Sequence, residues 1–177
     1  MAARNFQLGE IVGDYGDLGQ SVMAIDCTGQ TVLLASKRNL LFVNLDNPSQ
    51  PDRLPRKNVR WDIYAAQWNP HEAKASEFVV TRNQVADVCV RLNGRYEINS
   101  TLKSHTRSIT DLDWSPSDCN LLLSCSADSN SFLWDTRMPS IPSQTYETSQ
   151  SCSASQIKWN KVRFVSLAVS TRCWFIF

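Results

Sequence analysis

The sequence predicts an all-β fold, a β-propeller that is incomplete, with about three and a half blades. One stretch, residues 103–137, carries the strand and turn pattern of a whole four-stranded blade. The first strands of four such units align at Cys27, Trp68, Trp114 and Trp159, with spacings of 41, 46 and 45 residues. These spacings are close to the blade period of about 40–45 residues in propellers. The fourth unit has no recognisable third strand, so we expect a truncated blade.

The complete unit shows why blades are predicted. In Ile109–Trp114 successive side chains alternate between the two faces that a strand presents, and Ser115-Pro116 ends the run. This pattern is typical of a strand followed by a turn. Leu121–Ser126 is nearly all apolar or small, as expected for an inner strand covered on both faces. Residues 127–130 are polar and predict a tight turn, after which the run from Ser131 to Trp134 returns as a strand.

The same pattern, in weaker form, divides the rest of the chain. Residues 1–20 are predicted to be an N-terminal tail with a short strand at Glu10 to Tyr15. A loop is expected at 47–58, a tight turn at Asn93-Gly94, and an exposed position for His71. A closed ring needs about four to eight blades, so we expect residues 21–177 to be the N-terminal part of a longer propeller. Its blades are assigned to about residues 21–46, 61–99, 102–147 and, truncated, 152–177.

The Trp134-Asp135 dipeptide that closes the complete unit resembles the signature of a WD repeat. Such repeats carry a buried hydrogen-bond network, and the resemblance places it on His105, Ser124 (or Ser126), Asp128 and Trp134. These polar groups can satisfy one another, so they can be buried at low cost. A catalytic Ser-His-Asp set is the alternative. We expect no catalysis, because the residues stand where the repeat needs them and nothing supplies an oxyanion hole.

The tryptophans that recur at one position of the repeat, Trp68, Trp114 and Trp159, are interpreted as packing residues. In repeat proteins each unit buries its apolar face against its neighbours, and large aromatic rings contribute most of the buried area. We therefore expect these three indoles in the cores between blades and not in a ligand site.

Composition limits the other function classes. The chain has 177 residues with a net charge of +1, so its charge gives no general argument for binding to nucleic acid or membrane surfaces. No apolar run approaches the roughly 20 residues that span a bilayer, and the first residues do not form a signal peptide. The six cysteines lack zinc-site spacing, and the six glycines form no nucleotide fingerprint. We expect no metal and no cofactor.

One small basic cluster is a candidate docking surface for an acidic protein partner. Its members are Arg53, Arg56, Lys57 and Arg60, with Arg107 as a further candidate. The alternative is a solvated connection between blades, since charged loops are usually hydrated surface.

Several short sequence segments are more specific than a generic WD repeat requires. They include Asp26-Cys27-Thr28-Gly29-Gln30, Val43-Asn44-Leu45-Asp46, Gln67-Trp68-Asn69-Pro70-His71 and Ser155-Gln156-Ile157-Lys158-Trp159-Asn160-Lys161. Over about residues 20–165 the chain resembles the N-terminal propeller of the WD repeat-containing protein 59 family. Ser104 stands where a glycine often precedes the histidine, which is a minor departure.

The resemblance implies a scaffold subunit of the GATOR complex, in its activating half, called the SEA complex in yeast. It implies a cytoplasmic protein that associates peripherally with the lysosomal or vacuolar membrane and positively regulates TORC1 signalling in response to amino acids. The partners implied are other GATOR or SEA subunits. The alternatives are another WD-repeat adaptor, such as a ubiquitin-ligase substrate receptor or a coat subunit, and a fragment without function.

Overall fold

The computed structural model describes residues 21–56, 60–147 and 153–160, and the backbone of two further strands within 166–176. In this part of the chain the only helix is one 3-10 turn, Glu72–Lys74. The strands are β1 Ser21–Ile25, β2 Thr31–Ser36, β3 Asn39–Asn44, β4 Asp52–Pro55, β5 Ala66–Trp68, β6 Glu77–Arg82, β7 Val85–Leu92, β8 Arg95–Lys103, β9 Ile109–Trp114, β10 Leu121–Ser126, β11 Asn130–Asp135, β12 Gln144–Glu147, β13 Ala154–Trp159, β14 Ser166–Ser170 and β15 Trp174–Ile176.

The strands form four antiparallel sheets in chain order. Strands β1–β4, β5–β8 and β9–β12 make three four-stranded sheets, and β13–β15 make a sheet of three described strands. Each sheet is a meander in which neighbours in sequence are neighbours in space, which is the build of a propeller blade. The predicted fold class, an all-β partial propeller, is confirmed. The predicted strand at Glu10 to Tyr15 lies outside the described residues.

Short turns connect several of the strands within the sheets. Asn93 and Gly94 join β7 to β8 with φ angles of 50° and 71°, the left-handed pair that a two-residue hairpin turn requires. Before β2, the carboxylate of Asp26 accepts backbone N–H bonds from Gln30 and Thr31 at 2.9 and 3.0 Å. The chemistry of these two turns therefore fixes where β8 and β2 begin.

The hydrophobic cores lie between sheets. Phe42 of the first sheet packs edge-to-face on Trp68 and Phe78 of the second, with ring centroids 5.7 and 5.5 Å apart. A second cluster, around Trp114 and Trp134, joins the second sheet to the third. A third cluster joins the third sheet to the fourth. The second and third sheets thus pack against a neighbouring sheet on both sides, as expected for stacked repeats.

The alignment of Cys27 with the recurring tryptophans is wrong by two residues. The N–H groups of Asp26, Asn69 and Ser115 make equivalent bonds across the first turn of each blade. The residue before each bond is Ile25, Trp68 or Trp114, so Ile25 is the true equivalent and Cys27 lies in the turn. The shorter turn after β1 hid this register. Ile25 is 54% exposed, so its side chain does not show the burial of the tryptophans.

Two blade limits also differ from the prediction. The predicted loop at 47–58 contains strand β4, the outer edge of the first sheet, and its Asp52, Arg53 and Pro55 are exposed. Edge strands carry charged residues and proline, so their composition resembles that of a loop. Strand β8 continues to Lys103 and belongs to the second sheet, although the third blade was expected to begin at about residue 102.

Candidate functional site

The structure brings together the four polar residues predicted from the complete repeat. His105 Nδ1 lies 3.0 Å from Asp128 Oδ2, and its Nε2 lies 2.8 Å from Ser124 Oγ. Trp134 Nε1 donates to the same Ser124 oxygen at 2.8 Å. With the proton on Nδ1, the imidazole donates to the carboxylate and accepts from the hydroxyl, so every member has a partner. Ser126, the alternative serine, instead donates to the Arg107 carbonyl at 3.0 Å.

Asp128 is the anchor of this network. Burial would raise its pKa, but hydrogen bonds from His105 and from the Thr106 N–H outweigh that effect and hold the pKa well below its usual range. The Thr106 N–H bond is 2.8 Å long, and Asn130 donates its N–H to the other carboxylate oxygen at 2.9 Å. The carboxylate therefore fastens the entry to β9 and the turn before β11 to one point.

The network is closed to solvent. Ser124 is fully buried and His105 is 3% exposed, with the Phe132 ring stacked 4.3 Å from the imidazole. Both faces of the serine oxygen are occupied by His105 and Trp134. A substrate has no access to this hydroxyl, so the arrangement is suited to holding strands together.

The second blade holds a different polar cluster, which the sequence analysis missed. Val80 and Cys89 take the places of Ser124 and Trp134. Asp87, 4% exposed, accepts from Arg82 Nε at 2.6 Å and from Thr101 Oγ1 at 2.7 Å. The aspartate after the Asn83-Gln84 turn was the available signal.

The three predicted core tryptophans lie where their blades meet, but their indole N–H groups differ. Trp68 Nε1 donates to the Ala75 carbonyl at 2.6 Å, and Trp159 Nε1 donates to the Asp113 carbonyl at 3.1 Å. Trp114 Nε1 is buried, and no described group accepts from it. All three rings line one cavity of about 320 Å³.

His71, which was expected to be exposed, borders this cavity and is half-buried. Its Nε2 lies 2.9 Å from the Ser115 carbonyl, which links the first-turn loops of the second and third blades. The exposed position was predicted from the loop alone, and the contact comes from a residue 44 positions away.

Two aspartates of β9 hold the next blade, and sequence reasoning did not single them out. Asp111 Oδ2 accepts the N–H of Ile157 at 3.1 Å, and Asp113 Oδ2 accepts the N–H of Trp159 at 2.8 Å. Lys158 Nζ lies 3.0 Å from Asp111 and 3.9 Å from Asp113. Acidic residues two apart on a strand point to the same side, and that spacing was the signal.

The basic cluster does not form one free patch. Arg56 turns inward, where its Nη1 donates to the carbonyls of Lys37 at 2.9 Å and Trp61 at 3.2 Å, and burial lowers its pKa. Arg53 is exposed on β4, and Arg107 is exposed before β9. Arg60 is exposed, with its guanidinium 5.1 Å from the Trp61 ring centroid, and Lys57 lies outside the described residues.

The described cysteines and histidines can be examined for metal binding and for thiol reactivity. Within the described residues, no three His, Cys, Asp or Glu side chains are placed to hold a metal ion. Burial raises the pKa of Cys89 and of Cys125 to about 12, so both thiols are protonated at neutral pH. The described residues also contain no helix that is long and apolar enough to cross a membrane.

Comparison with known proteins identifies both the repeat and relatives. Residues 96–135 match the family model "WD domain, G-beta repeat". The chain is 38% identical over 170 residues to "GATOR2 complex protein WDR59" of Homo sapiens and to the protein of that name from Gallus gallus. In both cases the match covers 96% of this chain and 17% of the relative.

A fungal protein is also similar to most of this chain. "Maintenance of telomere capping protein 5" of Saccharomyces cerevisiae is 35% identical over 146 residues, which cover 81% of this chain and 12% of that protein. The chain therefore spans about a sixth or less of the length of these relatives. The WD repeat and the identity over nearly the whole chain confirm the resemblance, and the chain belongs to the WD repeat-containing protein 59 family.

Proposed function

We propose that this chain is a non-enzymatic scaffold whose blades bind other subunits of a GATOR2-type complex. The observation that carries the proposal is the 38% identity over 96% of the chain to relatives named as GATOR2 complex proteins. Through that complex the protein acts in the cytoplasm, peripherally at the lysosomal or vacuolar membrane, and supports TORC1 signalling in response to amino acids. Sheets that stack through rigid cores offer loops and edges as contact surfaces.

The arrangement of polar groups favours binding over catalysis. The Ser-His-Asp constellation of the third blade is buried, and its hydroxyl already has two partners. Function on such a scaffold belongs to surface residues. Arg53, Arg60 and Arg107 are exposed and remain our candidates for contacts with an acidic partner surface.

Affinity purification tests the proposal. Tagged chain 1–177 is expressed in cells, and co-purified proteins are identified by mass spectrometry, with an unrelated WD-repeat propeller as the control. We expect enrichment of GATOR2 or SEA subunits over the control. Enrichment of a ubiquitin ligase or a vesicle coat instead, from a folded chain, would contradict the proposal.

A further inference from the structure

A pocket of about 230 Å³ lies between the first and second blades. Leu40 of β3 forms part of its wall on the first blade, and Val80 of β6 and Ile98 of β8 form part of its wall on the second. Small-molecule sites have volumes of about 300–1,000 Å³, so this pocket has the size for a single side chain. Because Ile98 is 44% exposed, the pocket can be reached from the surface beside β8.

Two arginines and one aspartate line this pocket, which leaves one positive charge in excess. Arg82 is neutralised by Asp87, since its Nε donates to Oδ2 at 2.6 Å and its Nη2 donates to Oδ1 at 3.3 Å. In the described part of the chain, Arg56 forms no ion pair with an acidic side chain, and its hydrogen bonds go to backbone carbonyls. The excess charge therefore belongs to Arg56.

Arg56 uses one of its three guanidinium nitrogens for the fold. Its Nη1 donates to three backbone carbonyls at 2.9 to 3.3 Å. Neither Nε nor Nη2 has a hydrogen-bond partner among the described residues. These two nitrogens form the edge with which Arg82 holds Asp87, and that edge presents two parallel N–H donors to a carboxylate.

The Arg56 guanidinium lies beside the other polar groups of the pocket. Burial is the largest cause of its lowered pKa. The other causes are the charges of four residues that all line the pocket, Tyr96, Asp87, Arg82 and Cys89. A half-buried cation that has lost water without gaining an anion is stabilised by a carboxylate that enters next to it. The charge balance therefore favours an acidic ligand.

We propose that this inter-blade pocket takes one aspartate or glutamate side chain of a partner protein, whose carboxylate accepts from Arg56 Nε and Nη2. The apolar wall formed by Leu40, Val80 and Ile98 contacts the methylene groups of that side chain and an apolar residue next to it. The inference rests on the proposed scaffold function and names the chemistry of one contact.

Short peptides with one glutamate between two leucines test the pocket, with matched peptides in which glutamine replaces the glutamate. Chain 1–177 should bind the glutamate peptides and shift the Arg56 Nε–H resonance, a readout that needs no variant. Glutamine should weaken binding about tenfold, because it removes a charge-assisted pair of hydrogen bonds. Sodium phosphate at equal ionic strength is the control for a general anion site and should leave this resonance in place.

Two pairs of variants locate the contact. Ile98→Glu places a competing carboxylate at the pocket and should weaken binding of the glutamate peptides about tenfold, whereas the neutral Ile98→Gln should stay within about threefold. Ile98 is exposed, so both chains should fold. Arg56→Lys keeps the charge but loses the paired donors, and it should also weaken binding about tenfold. Arg53→Lys, on the exposed strand β4, is its matched control and should stay within about threefold.

The outcomes separate this inference from the scaffold proposal. Equal binding of the glutamate and glutamine peptides, an unmoved Arg56 resonance, phosphate binding as tight as that of the glutamate peptides, or equal affinities in Ile98→Glu and Ile98→Gln would overturn the pocket assignment. If no glutamate peptide binds while the chain still co-purifies GATOR2 subunits, the pocket assignment fails and the scaffold stands. If the glutamate peptides bind but no such subunit co-purifies, the scaffold proposal fails and the pocket stands.

Discussion

Ser124→Ala is the substitution that most sharply separates the buried network from ordinary packing. The change removes one oxygen that serves two buried partners at 2.8 Å each, His105 Nε2 and Trp134 Nε1. Each orphaned group costs about 1–3 kcal/mol, because neither can reach water. We therefore expect the free energy of unfolding to fall by about 2–4 kcal/mol.

Ser131→Ala is the matched control. Ser131 lies in β11 of the same sheet and is 1% exposed, but its hydroxyl has no partner among the described residues. Removing an unpaired buried hydroxyl relieves its desolvation, so stability should stay within about 0.5 kcal/mol or rise. The two variants make the same change in volume and differ only in lost hydrogen bonds.

Urea unfolding followed by tryptophan fluorescence measures both variants. With a slope of about 2 kcal/mol per molar, Ser124→Ala should lower the midpoint by about 1–2 M, and Ser131→Ala should leave it nearly unchanged. Equal midpoint shifts in the two variants would refute the reasoning, since the loss would then belong to packing. A shift larger in Ser131→Ala would refute it as well.

Three further predictions follow from the site geometry. Because the pKa of Asp128 is lower in the folded protein than its unfolded value of about 3.9, the ionised carboxylate stabilises the folded state above that pH, and the stabilisation is lost as the pH falls further. Acid unfolding of Asp128→Asn should therefore lack this pH-dependent loss of stability. An acid-unfolding profile identical to that of the unsubstituted chain would contradict the prediction. The buried Cys89 thiol, with a pKa of about 12, should react with iodoacetamide at pH 8 far more slowly than the half-buried Cys27. Peptide mapping measures both rates, and equal rates would contradict the burial of Cys89. Asp113→Ala removes the acceptor of the Trp159 N–H, so that amide should exchange with deuterium faster; unaltered exchange would mean that the aspartate does not hold β13.

Much of the third blade could be predicted from its resemblance to a WD repeat. The resemblance implied the network of His105, Ser124 (or Ser126), Asp128 and Trp134, because WD repeats carry such a network. The tight turn at Asn93-Gly94 was also predictable, because few residues accept two positive φ angles.

Contacts between blades were not predictable in this way. The bonds from Ile157 and Trp159 to the aspartates of β9 join residues 46 positions apart. Arg56 is charged and was expected at the surface, yet its guanidinium turns inward and donates hydrogen bonds to two backbone carbonyls. Such contacts depend on how two blades meet, and a pattern within one repeat does not encode that geometry.

Direct binding to the complex examines the scaffold role itself. Purified chain 1–177 can be mixed with a GATOR2-type complex that was prepared without its own member of this family, and the mixture resolved by size-exclusion chromatography. The scaffold proposal predicts that the folded chain elutes with the complex at high mass. A cooperative unfolding transition shows that the chain is folded. Separate elution of such a folded chain would contradict the scaffold proposal.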